Sequence, residues 1–239
     1  MLAAILTCAI GVAQQESPRF RTRLDNGATI LVESMPKAKT VSVQLFLAAG
    51  QPERPEQAGM RHLLEHLMAG GKRGDLDSRL ESAGSYLLAR TLRDAMQFEV
   101  EGGPGNLDLG LDAVKEILEE RTWTPEQVKA AAGSVAEEIN LAPDSLMLSK
   151  AAWQASYGES ASDPVGSVQA VASATNKDLT AARSLLLDRV VLVVSGPVAR
   201  DATLAKARRI LEALPKRTWA GYARRRSAKP GRLDAPGAS

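Results

Sequence analysis

Gly59-Met60-Arg61-His62-Leu63-Leu64-Glu65-His66-Leu67-Met68 is the stretch that organises the reading of this chain. With Gly70-Gly71 behind it, the pattern predicts a helix over 58–69 that glycines close. At about 100° per residue, Leu63, Leu64, Leu67 and Met68 fall within roughly 80° of Met60 and form one apolar face. Glu65, His62 and His66 fall at roughly 140°, 200° and 240° on the other side. One face anchors the helix in a core; the other offers two imidazoles one turn apart with a carboxylate beside them. The chain has two histidines and both stand here. A solvated helix face that happens to carry His and Glu is the bland alternative.

Histidines four apart on a helix can reach the same cation, and neutral imidazole is a good zinc ligand. The order His-x-x-Glu-His is the inverted form of a common zinc-peptidase helix. Catalytic zinc takes three protein ligands and keeps one position open, so a third ligand is needed from elsewhere. The chain's one cysteine, Cys8, sits in the first apolar segment, which leaves a carboxylate as the missing donor. Glu137 and Glu138, in Val135-Ala136-Glu137-Glu138-Ile139, are the candidates. Adjacent helical residues point about 100° apart, so only one of them faces the metal. The apolar stripe Val128, Ala132, Val135, Ile139 does not choose between them.

Outward from these segments, mixed strands and helices are expected. Phe20 to Leu24 and Ala28 to Val32 flank Asn26-Gly27, a hairpin signal. Thr40 to Ala48 alternates, with Val41, Val43, Leu45 and Leu47 on one face. Leu76 to Ser82 reads as a short helix and Tyr86 to Glu101 as one or two strands. Asn106 to Glu120 reads as a helix, and Thr124-Pro125-Glu126 starts another that runs to about Leu141. Helices are also expected over 145–157, 176–187 and 201–214, and a buried strand over 189–195. The fold class implied is α+β, a mostly antiparallel sheet with helices packed on one face.

The bulk composition is that of an ordinary globular protein: 239 residues, 44% hydrophobic and 24% charged. A formal net charge of +2 and 4% aromatic residues argue against a nucleic-acid binder. Residues 1–13 are almost wholly apolar and end in Gly11-Val12-Ala13, with small residues where a signal peptidase reads. We read 1–13 as a cleaved secretory signal, which places the protein in the periplasm or outside the cell. A buried first element, with a cytoplasmic protein, is the alternative, since a basic leading region is missing. The run is too short for a stable membrane span. After Pro215 the chain turns basic and rich in Pro and Gly, with Arg224-Arg225-Arg226. The organisation expected is a signal over 1–13, a domain over 14–218 and a basic flexible tail or linker over 219–239.

Taken together, these segments resemble the pitrilysin/insulinase family of zinc peptidases, which includes mitochondrial processing peptidase. Leu24-Asp25-Asn26-Gly27 with Ile30-Leu31-Val32 is similar to the family's opening hairpin. Gly50, then Gly59 to Met68, resembles its metal helix. Gly84 to Glu99, with Ala89, Thr91, Asp94 and Phe98, resembles its active-site strand. Glu137-Glu138-Ile139 followed by Pro143 is similar to the segment that supplies the distant ligand, and Val190 to Val194 with Gly196 to the closing strand. The resemblance covers roughly residues 20–215.

It implies a zinc-dependent endopeptidase with His62, His66 and Glu138 as metal ligands, and Glu65 as the base that takes a proton from the attacking water. An extended peptide would lie along the strand around Tyr86 to Thr91, with Leu88, Ala89 and Thr91 as substrate-binding positions. Glu138 follows His66 by 72 residues, slightly fewer than the family's usual span. Leu88 stands where the family usually has an Asn that helps hold the peptide backbone, and Ala131 where it often has an acidic residue. The family usually pairs homologous domains that close on the substrate. The resemblance therefore implies a homo- or heterodimer with a second domain of this type. The runner-up is a non-catalytic domain of the same fold, serving as a scaffold or the structural half of a heterodimer.

Overall fold

Asn26 and Gly27 turn the chain between its first two strands, β1 (Arg19–Arg23) and β2 (Thr29–Ser34), with Gly27 at a φ of 94° that favours glycine. The Asn26 side chain reaches further: its amide donates to the carbonyls of Leu211 (2.6 Å) and Leu214 (3.1 Å), tying the turn to the end of the last helix. The computed structural model describes residues 19–48, 53–158 and 164–217. The expected signal over 1–13, the tail over 219–239, Cys8 and Gly50 lie outside the described residues, as do both expected domain boundaries.

Four further strands follow: β3 (Val41–Ala48), β4 (Ser85–Thr91), β5 (Met96–Gly102) and β6 (Arg189–Gly196). The six form one sheet in the order β1-β2-β6-β3-β5-β4. Neighbours pair antiparallel except β2 with β6, which run parallel. Ile30, Val32, Val43, Leu45, Leu47, Met96, Phe98, Leu192 and Val194 are all buried on one face. The other face carries Ser42, Gln44, Glu99 and Glu101 at intermediate burial. There Glu99 accepts from the Ser42 hydroxyl and the Gln44 amide, each at 2.9 Å. The expected mostly antiparallel sheet with helices on one face is what the chain adopts.

The helices are α1 (Met60–Ala69), α2 (Leu76–Ser82), α3 (Leu107–Leu118), α4 (Pro125–Asn140), α5 (Asp144–Tyr157), α6 (Val168–Ala172), α7 (Asn176–Leu186) and α8 (Arg200–Leu211). Leu63 and Leu64 of α1 are fully buried, and burial of each contributes about 1.5–3 kcal/mol. α1 begins two residues later than its apolar pattern suggests, because Gly59 sits at φ 96°. The 86–101 segment folds as two strands, its turn closed by the Leu92 amide on the Ala95 carbonyl (2.7 Å). α6 was not foreseen: five residues are too few for a helical period to register.

Candidate metal centre

The helix that carries the two histidines has no capping side chain of its own, since its N-cap is Gly59. Glu53 supplies the cap from the preceding loop. Its carboxylate accepts from the Gly59 amide (3.2 Å) and the Arg61 amide (2.6 Å), putting negative charge at the positive end of α1. Arg61 is 2% exposed, with Nε 3.6 Å from Glu53. Burial pushes the Glu53 carboxyl above its ordinary range, while the Arg61 charge and the two amides pull against that. The Arg61 Nη1 also donates to the Arg93 carbonyl (3.3 Å), which clips the turn after β4 onto α1.

With Met60, Leu63, Leu64, Leu67 and Met68 buried, His62, Glu65 and His66 emerge on the half-buried side of α1, as the angular reading requires. α4 lies against this helix. It starts on a capping box in which Thr124 accepts from the Gln127 amide and Gln127 reaches back. Val135 is completely buried, and Val128, Ala131, Ala132 and Ile139 are partly buried against the same core. That seating aims Glu138 at the imidazoles and leaves Glu137 exposed. Glu138 Oε2 is 3.0 Å from His62 Nε2, and Oε1 is 3.2 Å from His66 Nε2. One donor atom from each of the three residues lies within 4.8 Å of the others.

These residues fit a zinc ion by their chemistry and spacing. Two nitrogens and one carboxylate are a normal catalytic set, and donors about 2.1 Å from a tetrahedral ion stand about 3.4 Å apart. His62 Nδ1 lies 3.2 Å from the Val165 carbonyl. A carbonyl only accepts, so with a metal on the Nε2 lone pair the Nδ1 proton would have this oxygen to receive it. The centre is open on one side: the Glu138 side chain is 55% exposed, against 13% for His62.

Glu65 points from α1 toward the sheet. Its Oε2 accepts from the Thr91 hydroxyl at 2.8 Å. Of the positions expected to bind substrate, Ala89 and Thr91 pair with Phe98 and Met96 and share the helix-covered face. Leu88 pairs with Glu99 on the opposite face, so its side chain points away from the imidazoles. All three belong to β4, an outer strand of the sheet.

Sequence reasoning missed Glu53 and the Val165 carbonyl. A backbone carbonyl leaves no mark in a sequence, but Gly166 was a usable hint. At φ 90°, its missing Cβ would fall 2.4 Å from the Gly59 Cα. The two glycines touch, the Ser167 amide reaches the Ala58 carbonyl (3.0 Å), and Val165 is thereby set beside His62.

Comparison with known proteins agrees with this architecture. The chain is 22% identical to the beta subunit of the mitochondrial-processing peptidase of Saccharomyces cerevisiae, over 87% of this chain and 47% of that protein. It is 24% identical to an uncharacterized zinc protease of Mycobacterium leprae, over 84% of this chain and 48% of that one. The chain thus spans about half the length of these curated relatives. The crystal structure of the periplasmic protease PqqL from Escherichia coli superposes with a TM-score of 0.76 at 21% identity, over 89% of this chain and 26% of that one, a likeness of fold. The family model described as Insulinase (Peptidase family M16) matches residues 29–165, more than half of the sequence, and the chain belongs to that family of peptidases.

Proposed function

We propose that residues 14–218 form a zinc-dependent endopeptidase domain that hydrolyses peptides or small unfolded proteins. The observation that carries this reading is the convergence of His62, His66 and Glu138 from two helices 72 positions apart. When bound, zinc would acidify a water molecule to a pKa of about 7 and withdraw charge from the scissile carbonyl. Glu65 takes the proton released as the water oxygen bonds to the carbonyl carbon, and delivers it to the departing amine as the C–N bond breaks. His62 and His66 keep their Nε2 atoms directed at the centre. The free side of β4 seats the peptide as an added strand, through the backbone at Ala89, because the pairing continued from the Leu92–Ala95 bond turns the Leu88 backbone toward β5.

The substrate is a peptide, and neither nucleic acid nor a membrane span enters the reading; no helix among the described residues is long and apolar enough to cross a membrane. The exposed flank at Glu138 supports a homo- or heterodimer in which a second domain of this type closes the centre. The apolar run over 1–13 and the periplasmic source of one structural neighbour support secretion or a periplasmic location.

The test is a zinc assay with a peptide-library digest of wild type and Glu65→Gln, with and without a candidate partner domain. One zinc per chain, hydrolysis by wild type, and its loss in Glu65→Gln with zinc retained are expected. Zinc binding with no hydrolysis in any combination would instead favour a scaffold. Unchanged turnover in Glu65→Gln would remove Glu65 from the chemistry.

A further inference from the structure

We infer that Thr91 is a positioning residue for Glu65, tying the general base to the strand that seats the substrate. The inference deepens the proposed function and rests on it for the identity of the base. Thr91 closes the outer strand β4, and Glu65 lies on α1, 26 positions earlier. Their hydrogen bond, hydroxyl to Oε2 at 2.8 Å, bridges the two elements. Thr91 pairs with Met96, which is fully buried, so its side chain is held on the helix side of the sheet.

Three physical points give this bond a specific consequence. A glutamate has three soft side-chain torsions, whereas a β-branched threonine in a strand is stiff at χ1. The hydroxyl is therefore the fixed partner and the carboxylate the guided one. Thr91 donates to one carboxylate oxygen, which leaves Oε1 as the acceptor for the water's proton. Finally, the Arg61 bond to the Arg93 carbonyl (3.3 Å) holds the turn just beyond Thr91 to the same helix. Base and strand are thus braced at two points. A peptide added to β4 takes its register from the strand that contains Thr91, so scissile bond and base share one frame. Misplacement of a reacting group by about 1 Å can cost about 100-fold in rate, which is the scale such a brace protects.

This assigns the Thr91 side chain a role other than touching the peptide, and the two roles separate experimentally. Wild type, Thr91→Val and Thr91→Ser are compared for kcat, KM, zinc content and melting temperature, on a peptide that wild type cleaves. Thr91→Val is expected to lower kcat about 10- to 100-fold, the range for a lost hydrogen bond to a charged group, with KM within about twofold and zinc unchanged. Thr91→Ser should recover most of that loss. A rise in KM alone, or equal damage in the Ser and Val variants, would overturn the inference. Crystal structures of wild type and Thr91→Val add a readout that needs no turnover: Glu65 should hold one rotamer in the first and scatter in the second. Glu65 unmoved in Thr91→Val would overturn the inference even if kcat fell. If wild type itself proves inactive, the functional reading fails, while the rotamer comparison still decides whether Thr91 holds Glu65.

Discussion

Glu137 and Glu138 differ by one position, yet they face different surroundings because Val135 and Ile139 fix how α4 lies on α1. Replacing Glu138 by Gln should weaken zinc binding by more than the roughly 10- to 100-fold typical of losing an outer partner of a ligand. Glu137→Gln should leave it unchanged, as titration calorimetry can record. The histidines and Glu65 were legible because their spacing alone puts them on one stripe. The choice of carboxylate was not, because the apolar stripe on α4 is too diffuse to give its rotation without the facing helix; only the family resemblance pointed to Glu138. The partner of His62 was invisible for another reason, being a main-chain oxygen. Gly166→Ala tests that hidden layer. A side chain at φ 90°, 2.4 Å from Gly59, must push the two segments apart. The left-handed backbone alone costs about 1–2 kcal/mol. Urea melts should show at least that loss, and zinc affinity should fall with it as the Val165 carbonyl leaves His62.

Among the elements, the join between α1, α2 and α3 depends on one carboxylate. Glu116 accepts from the Lys72 amide (2.6 Å) and from Arg79 Nη2 at both oxygens (2.8 Å each). Partial burial raises its pKa, but the Lys72 amide and Arg79 outweigh that, and the net shift is below the ordinary 4.5. A carboxyl depressed in the folded state stabilises the protein above its unfolded pKa and loses that effect as pH falls through the folded value. Glu116→Gln should therefore cost about 1–2 kcal/mol at pH 7, a figure kept small by the exposure of Arg79. The cost should shrink as the pH drops below about 4.5, where wild type loses the same charge. Urea titrations of both proteins at pH 7, 5 and 3 measure this. Most elements were readable beforehand: Thr124-Pro125 announced α4, and the alternation in Val41 to Leu47 announced β3. The parallel pairing of β2 with β6 was not, because two strands separated by the bulk of the chain carry no local sign of being neighbours.

At the scale of the whole molecule, the sheet ends in β4, and among the described residues no strand occupies its free side. A row of unsatisfied amides and carbonyls recruits any extended chain, including another copy of the same protein. Arg90, half-exposed at the next-to-last position of that strand, is the charge that discourages such stacking. Arg90→Thr should therefore raise the light scattering of concentrated samples, and an excess of a tight-binding peptide should suppress it. Shelf life in the tube and capture of cargo would then draw on the same rim, so a variant made more receptive to peptides would also clump more readily when stored without them.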